Sequence, residues 1–205
     1  MTASPFERRD TITIDDYLAF GEAIRRDIEI VDGIAFPREQ RSRGHQKAGF
    51  RFAEALENAV AKARRDHGDG APCIEVNTEI EVVLWEVPLN IRKPDVVVHR
   101  CVDEAEWVEG QDVLIAIEVL SKYSERRDRI HKMGEYARAG ILHYWIAQLD
   151  DVGVLAIEHY ALIDDSREYA RIGITHRDRD QPALKLTSPF GISIDWSELE
   201  ITPRS

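Results

Sequence analysis

The pattern of apolar and polar residues divides the first half of the chain into short strands around one long helix. Residues 27–36 alternate around an Asp-Gly pair, which predicts a β-hairpin. From 43 to 66, apolar residues recur at helical spacing and predict a long helix that ends at a Gly-Asp-Gly segment. Residues 73–85 alternate again, which predicts one long half-exposed strand or two strands joined by a bend.

The second half of the chain predicts the centre of a sheet. Residues 93–99 and 112–120 are β-rich, and the second run is apolar on both faces apart from Glu118, as expected of a central strand. A helix is predicted from Ser124 to about 138, and a strand follows at 142–147. Strand, helix and strand in this order predict a crossover between parallel strands.

Three further short strands are predicted as an antiparallel addition, at 154–160, 169–175 and 183–194. The expected fold class is therefore α/β, with a central mixed sheet flanked by helices and extended by antiparallel strands.

Length and composition fit one globular domain over residues 1–205, with 43% apolar and 32% charged residues. Residues 1–12 are expected to form a flexible arm. The beginning of the chain lacks an apolar signal region, and no apolar run is long enough to span a membrane. Cys73 and Cys101 are expected to be two small buried side chains rather than a disulfide, and a cytoplasmic location is expected.

The net charge of −11 argues against a protein whose whole surface attracts nucleic acid. Two segments are nevertheless basic. Residues 37–52 carry five basic residues against one acidic residue, and residues 121–132 carry five against two. These segments are either solvated helix faces or local surfaces that contact nucleic acid.

Two carboxylates and a lysine form the candidate chemical site. Asp95 and Glu118 lie in runs predicted as neighbouring strands, and Lys132 follows on the predicted helix. Two carboxylates on adjacent strands can hold Mg²⁺, which prefers oxygen ligands and keeps several waters, and an ammonium can orient a water or steady a phosphate. Glu118 could instead form an internal salt bridge, and Asp95 could simply begin a strand after a turn.

Glu29 is a possible third acid, because it is the polar residue between two isoleucines in a predicted strand. The alternative is an ordinary exposed strand residue. Other chemistries find no support, since the chain has no Gly-x-Ser-x-Gly turn, no Walker or dinucleotide-binding glycine pattern and no zinc-like histidine spacing.

Several motifs together resemble one known family. These are Pro-Asp-Val-Val-Val from 94, Ile-Glu-Val-Leu-Ser from 117, the stretch from 127 to 146 that ends in His-Tyr-Trp-Ile, the hairpin at 27–34, and His45-Gln46. The chain resembles, over about residues 15–199, the Uma-two family of restriction-endonuclease-like proteins, within the PD-(D/E)XK nuclease superfamily. The resemblance implies an endonuclease-like fold and Mg²⁺-dependent DNA cleavage.

The resemblance also implies roles for individual residues. Asp95 and Glu118 match the two acids, and Glu29 matches the strand glutamate of the family. The usual lysine two residues after the second acid is replaced by Leu120, and the family's helix-borne lysine matches Lys132. Lys122, in the loop after the Glu118 strand, is a competing candidate.

The resulting hypothesis is a nuclease in which Mg²⁺ or Mn²⁺ binds Asp95, Glu118 and the backbone carbonyl of Val119. The basic segments and the start of the long helix would contact DNA, through Arg43, His45, Gln46, Lys47, Arg51, Arg126 and Arg129. A homodimer is expected, because symmetric cutting of duplex DNA needs two sites. The alternatives are an inactive DNA-binding or oligomeric scaffold, or a structural protein that does not contact nucleic acid.

Overall fold

The structure is a computed structural model, and it describes residues 11–38, 40–120, 126–163, 166–177 and 183–202. The helices in these residues are α1 (Ile14–Ala19), α2 (Glu22–Arg26), α3 (Arg43–His67) and α4 (Arg126–Ala139). The strands are β1 (Ile28–Val31), β2 (Ile34–Pro37), β3 (Ile74–Asn77), β4 (Val82–Glu86), β5 (Leu89–Arg92), β6 (Val96–Arg100), β7 (Val108–Glu109), β8 (Val113–Leu120), β9 (His143–Leu149), β10 (Val154–Ile163), β11 (Glu168–His176), β12 (Ala183–Leu186) and β13 (Ile192–Asp195). None of these helices is both long enough and apolar enough to cross a membrane.

A six-stranded mixed sheet in the order β11-β10-β9-β8-β6-β3 forms the centre of the molecule. Strands β8 and β9 are parallel, and α4 connects them, which confirms the predicted crossover. Strands β10 and β11 continue the sheet as a long antiparallel pair, as predicted. The predicted strand at 183–194 is instead a separate two-stranded sheet of β12 and β13.

A second sheet has the order β2-β1-β5-β4-β7. The predicted hairpin forms β1 and β2, and Asp32 and Gly33 between them have φ of 49° and 75°, the left-handed values that a tight hairpin turn requires. The alternating run at 73–85 is two strands that belong to different sheets, because the chain turns between β3 and β4 at Glu79, which has φ of 55°. Strand β5 was not predicted.

The two long helices pack on opposite faces of the six-stranded sheet. On one face, the apolar side of α3 meets Ile117 and Val119 of β8; on the other, Tyr136 of α4 meets Ala116. Side chains alternate between the faces of a strand, so Glu118 points toward α4. The helix α4 ends where Gly140 adopts a φ of 86°, a backbone angle that residues other than glycine rarely adopt.

The prediction of two separate buried cysteines is wrong, because Cys73 and Cys101 form a disulfide and neither is buried. Cys73 directly precedes β3 and Cys101 directly follows β6, and the antiparallel register of these strands places the two residues opposite each other. Their Cα atoms are 5.4 Å apart. Such a cross-strand pair depends on strand pairing between distant segments, which cysteine spacing alone does not reveal.

Candidate active site

Asp95 and Glu118 lie beside each other on adjacent strands of the central sheet. Asp95 directly precedes β6 and Glu118 lies near the end of β8, in an antiparallel register that pairs Val96 with Ile117. Both side chains are buried, at 2% and 5% exposure. The backbone N–H of Val119 donates to Asp95 Oδ2 at 2.7 Å. The structure therefore brings together the two acids that the sequence predicted, along with the backbone of Val119.

The helix α4 supplies the cation next to Glu118. Lys132 and Tyr136 are one turn apart, so both side chains project from the same face of the helix. Lys132 Nζ donates to Glu118 Oε1 at 3.1 Å, and the Tyr136 hydroxyl donates to the same oxygen at 2.7 Å. The internal salt bridge considered for Glu118 is thus present, and its partner is the lysine expected in the site.

Glu29 extends this cluster from the neighbouring sheet and is buried, so the interpretation of an exposed strand residue is wrong. Its Oε1 lies 3.8 Å from Lys132 Nζ and accepts from the backbone N–H of Lys93 at 3.1 Å. Arg92 Nη1 donates to Glu29 Oε2 at 2.8 Å. The same guanidinium forms a bidentate pair with Glu135 on α4, at 2.7 and 2.9 Å.

Arg92 was missed by the sequence analysis, although it ties β1 to α4 through its two glutamates. The available signal was weak. It is an arginine in a short β-rich run just before the Pro-Asp pair, in the strand that was also missed. An arginine buried in a strand calls for carboxylate partners, but sequence spacing does not identify them.

Asp95 is held on its other side by the segment that leads into α3. Arg41 Nη2 lies 2.7 Å from Asp95 Oδ1, and His45 Nε2 lies 3.1 Å from Asp95 Oδ2. His45 Nε2 is also 3.0 Å from Arg41 Nη1. One nitrogen cannot both donate to Asp95 and accept from Arg41, and the carboxylate is the stronger acceptor, so we assign the proton on Nε2 to the bond with Asp95.

His45 is therefore buried against Asp95, and its contact with DNA stays a prediction. Arg41 entered the sequence analysis only as one charge of a basic segment, and its pairing with Asp95 was missed. The contact crosses between the loop before α3 and the start of β6, so only the fold brings the two side chains together.

The two acids differ in their electrostatics. Burial by itself raises the pKa of Asp95, but the hydrogen bond from His45, the charge of Arg41 and the Val119 amide hold that pKa below its ordinary value of 3.8. Burial raises the pKa of Glu118 above its ordinary value of 4.5, and the neighbouring Asp95 charge adds to the rise, while Lys132 only partly offsets it.

Glu29 and Tyr136 complete this electrostatic picture. Burial opposes ionisation of Glu29, but the charges of Lys132 and Arg92 and its hydrogen bonds keep its pKa below 4.5. Burial raises the pKa of Tyr136 well above its ordinary value, and the charge of Glu118 adds to this effect. Tyr136 therefore remains a neutral phenol that donates to Glu118.

The donor set at Asp95 and Glu118 fits a hard divalent cation that keeps part of its water shell. Within the stretches that the structure describes, no three His, Cys, Asp or Glu side chains form a metal-binding group, so these two carboxylates need backbone and water oxygens to complete the coordination. Asp95 Oδ1 is buried and receives no hydrogen bond of good geometry from those stretches, although it contacts Arg41. Its lone pairs suit a cation ligand.

The other predicted site residues divide into two groups. Arg43, Gln46, Lys47 and Arg51 all lie exposed on the first turns of α3. Lys47 Nζ donates to the Ile201 carbonyl at 3.3 Å, and Arg51 pairs with Glu54 at 2.9 Å. The second group consists of Lys122, which lies outside the described residues, and of Arg126 and Arg129, which belong to α4 but whose side chains are not described.

Comparisons with known proteins give one family match and similar solved structures. A family model, Uma2, described as "Putative restriction endonuclease", matches residues 14–197. A solved structure from Anabaena variabilis, titled as "a putative nuclease belonging to DUF820", is similar to this chain at 16% sequence identity, with a TM-score of 0.59 over 87% of this chain and 89% of that one. That likeness shows a shared nuclease fold. No curated protein matches the chain.

Proposed function

The chain belongs to the Uma2 family of restriction-endonuclease-like proteins, and we propose that it is a Mg²⁺- or Mn²⁺-dependent endonuclease that hydrolyses phosphodiester bonds of DNA. One observation carries this proposal: two buried carboxylates on adjacent strands, Asp95 and Glu118, meet a lysine, Lys132, from the following helix. This set combines an oxygen donor pair with a cation that can face a phosphate.

In this proposal Asp95, Glu118 and the Val119 carbonyl hold the cation, which supplies Lewis-acid stabilisation of the phosphate when bound. Lys132 orients the attacking water or stabilises the charge that develops on the phosphate. Tyr136 fixes one oxygen of Glu118, and Glu29 shares the charge of Lys132. Both act by positioning groups that touch the reaction.

The exposed basic side chains at the start of α3 are proposed to contact the DNA backbone, because phosphate contacts supply most of the sequence-independent affinity. Arg43 and Lys47 are four residues apart and lie on one side of the helix. Two copies of the chain would place two sites on a duplex, and a homodimer is proposed for that reason.

A catalytically inactive scaffold of the same fold is the second candidate. The contact between Arg41 and Asp95 favours this candidate, because the guanidinium already neutralises the carboxylate that a cation would bind. A scaffold has no need of a divalent cation, so a metal titration separates the two functions.

Plasmid and linear DNA incubated with the purified protein test the proposal. We expect nicking or cutting with Mg²⁺ or Mn²⁺, none with EDTA, and none with the Asp95→Asn variant. Asp103→Asn, which removes a carboxylate from an exposed loop, is the matched control and should cut like the wild type. DNA binding without any metal-dependent cutting would support the scaffold instead.

A further inference from the structure

A small pocket opens next to Asp95, between the start of α3 and the turn that follows β3. Its volume is about 180 Å³. Pockets for drug-sized ligands span roughly 300–1,000 Å³, so this one suits a single flat ring system. It is lined by His45, Gln46, Gly49, Phe50, Thr78, Glu79 and Asp95.

Phe50 forms an exposed aromatic wall of this pocket. Its side chain is 67% exposed, although most large aromatic side chains in the described structure are buried or half-buried. Gln46 lies one helical turn earlier on the same face, and Thr78 lines the pocket from the turn after β3. The pocket thus offers a ring face together with an amide and a hydroxyl group.

Gly49 keeps the pocket open at its base. A methyl group placed on Gly49 would meet only the Asp95 carbonyl oxygen, at 3.9 Å. The space above this glycine therefore remains available to a ligand that lies flat between Phe50 and the Asp95 backbone.

We propose that this pocket binds one unpaired nucleobase of the DNA strand, stacked on Phe50, with its edge groups facing Gln46, Thr78 and Glu79. The inference rests on the proposed nuclease function, because it supplies the strand whose phosphate would lie at Asp95. It assigns the substrate class as single-stranded DNA or a duplex with an unstacked base.

Charge favours a base over a phosphate as the occupant. None of the described residues that line the pocket is a lysine or arginine that could hold a phosphate, and its two carboxylates, Glu79 and Asp95, already pair with Arg38 and Arg41 at 2.9 and 2.7 Å. Exocyclic amino groups of bases can donate to the remaining lone pairs of Glu79. Arg43 and Lys47 lie exposed on the neighbouring positions of α3, where they can contact the flanking phosphates. Aromatic stacking next to basic residues is the usual arrangement in single-strand binding.

The test uses single-stranded oligonucleotides that contain 2-aminopurine, whose emission falls when the base stacks, with binding measured in EDTA. We expect Phe50→Leu to weaken binding about 5- to 150-fold, the range that follows from the loss of one stacked base, and to abolish the quenching. Phe50→Trp should restore both to within about twofold of the wild type. Ile172→Ala, at an exposed apolar position on β11, is the control and should leave binding unchanged.

An oligonucleotide with abasic sites separates stacking from phosphate contacts. The wild type and Phe50→Leu should bind it equally, since no base is present to stack. Equal affinity of the two proteins for the normal strand, or the same loss with the abasic strand, would overturn the inference. If the wild type cuts DNA with Mg²⁺ while Phe50→Leu binds normally, only this inference fails. If Phe50 binds the base but nothing is cut, only the nuclease proposal fails.

Discussion

The two acids at the centre of the sheet are neighbours, yet their surroundings are opposite in character. Asp95 receives the Val119 amide and the His45 ring and contacts the Arg41 guanidinium, and its pKa is lowered. Glu118 is also buried, has one lysine and one phenol as partners, and its pKa is raised.

This difference shows which of the two carboxylates has less positive charge beside it among the described residues. Among the described residues, Asp95 pairs directly with the Arg41 guanidinium, while the ammonium that pairs with Glu118, Lys132, is shared with Glu29. A divalent cation between the two acids would supply the missing charge at Glu118 and would compete with Arg41 at Asp95. Under the proposed function, a bound cation would therefore offset the charge of Glu118 more than that of Asp95.

The largest expected effect is on cleavage. Asp95→Asn and Glu118→Gln each remove one carboxylate charge at constant shape, so each should lower the cleavage rate by on the order of 10³-fold or more. The measurement is the single-turnover rate with Mg²⁺. Retained activity in the Glu118 variant would restrict the site to Asp95 and would break the proposed pairing.

The second largest effect on cleavage is expected from the loss of Lys132. Lys132→Ala should lower the cleavage rate by about 10²–10³-fold while Mn²⁺ binding persists, because an ammonium is not a metal ligand. Lys122→Ala, the competing candidate between β8 and α4 in the sequence, should have a much smaller effect. Lys185→Ala, at an exposed position on β12, is the matched control. Loss of activity in the Lys122 variant alone would move the assignment to that residue.

Asp95→Asn and Glu118→Gln should change the free energy of unfolding of the metal-free protein in opposite directions. Asp95→Asn removes the nearest carboxylate of Arg41, which keeps only the longer contact with Glu79 at 3.9 Å among the described residues, and should lower the free energy of unfolding by about 3 kcal/mol at neutral pH. Glu118→Gln removes a charge that burial disfavours, while its amide oxygen can still accept from Lys132 and Tyr136, so this variant should raise the free energy of unfolding. Urea unfolding in EDTA measures both, and a large loss in each variant would show that Glu118 is chiefly a structural ion-pair partner.

The stability differences between these two variants and the wild type should depend on pH, in the directions set by the pKa shifts of Asp95 and Glu118. The pKa of Asp95 is lowered, so the stability that its charge contributes is present above 3.8 and is lost only as the pH falls below that value. The pKa of Glu118 is raised, so its destabilising charge is present at neutral pH and disappears as the pH falls to about 4.5. The Glu118 variant and the wild type should converge in acid, while the Asp95 variant should still differ at pH 4.5.

The smallest effect concerns the surface of α3. Neutralising Arg43, Lys47 and Arg51 should weaken DNA binding and reduce the salt slope by roughly one unit for each lost phosphate contact. Lys62 and Arg65, exposed further along the same helix, provide control variants. An unchanged salt slope would show that these three side chains are solvated and do not contact phosphates. Because Arg51 already pairs with Glu54, we expect its contribution to DNA binding to be the smallest of the three.

The local patterns of the sequence predicted much of this site. The hairpin around Glu29, the central strand with Glu118 and the helix with Lys132 each have a clear apolar period, and the connection from β8 to β9 follows from chain order. The family resemblance added the roles of the acids and of Lys132. Both kinds of signal act within short segments.

The parts that the sequence did not predict are contacts between distant segments. The pairing of Arg41 with Asp95, the double pairing of Arg92 and the disulfide of Cys73 and Cys101 all depend on which strands become neighbours. The alternation at 73–85 continued through Glu79, whose left-handed backbone sends β3 and β4 into different sheets. The pattern left open one long strand or two strands joined by a bend, and it did not show that the two strands belong to different sheets.

The most direct test of the central claim is anomalous diffraction at the manganese edge from crystals of this protein soaked in Mn²⁺. The account predicts one strong peak between the carboxylates of Asp95 and Glu118, with Arg41 moved away from Asp95 Oδ1, and no peak in crystals of the Glu118→Gln variant. No density at these carboxylates in the wild type, with Arg41 still on Asp95, would contradict it.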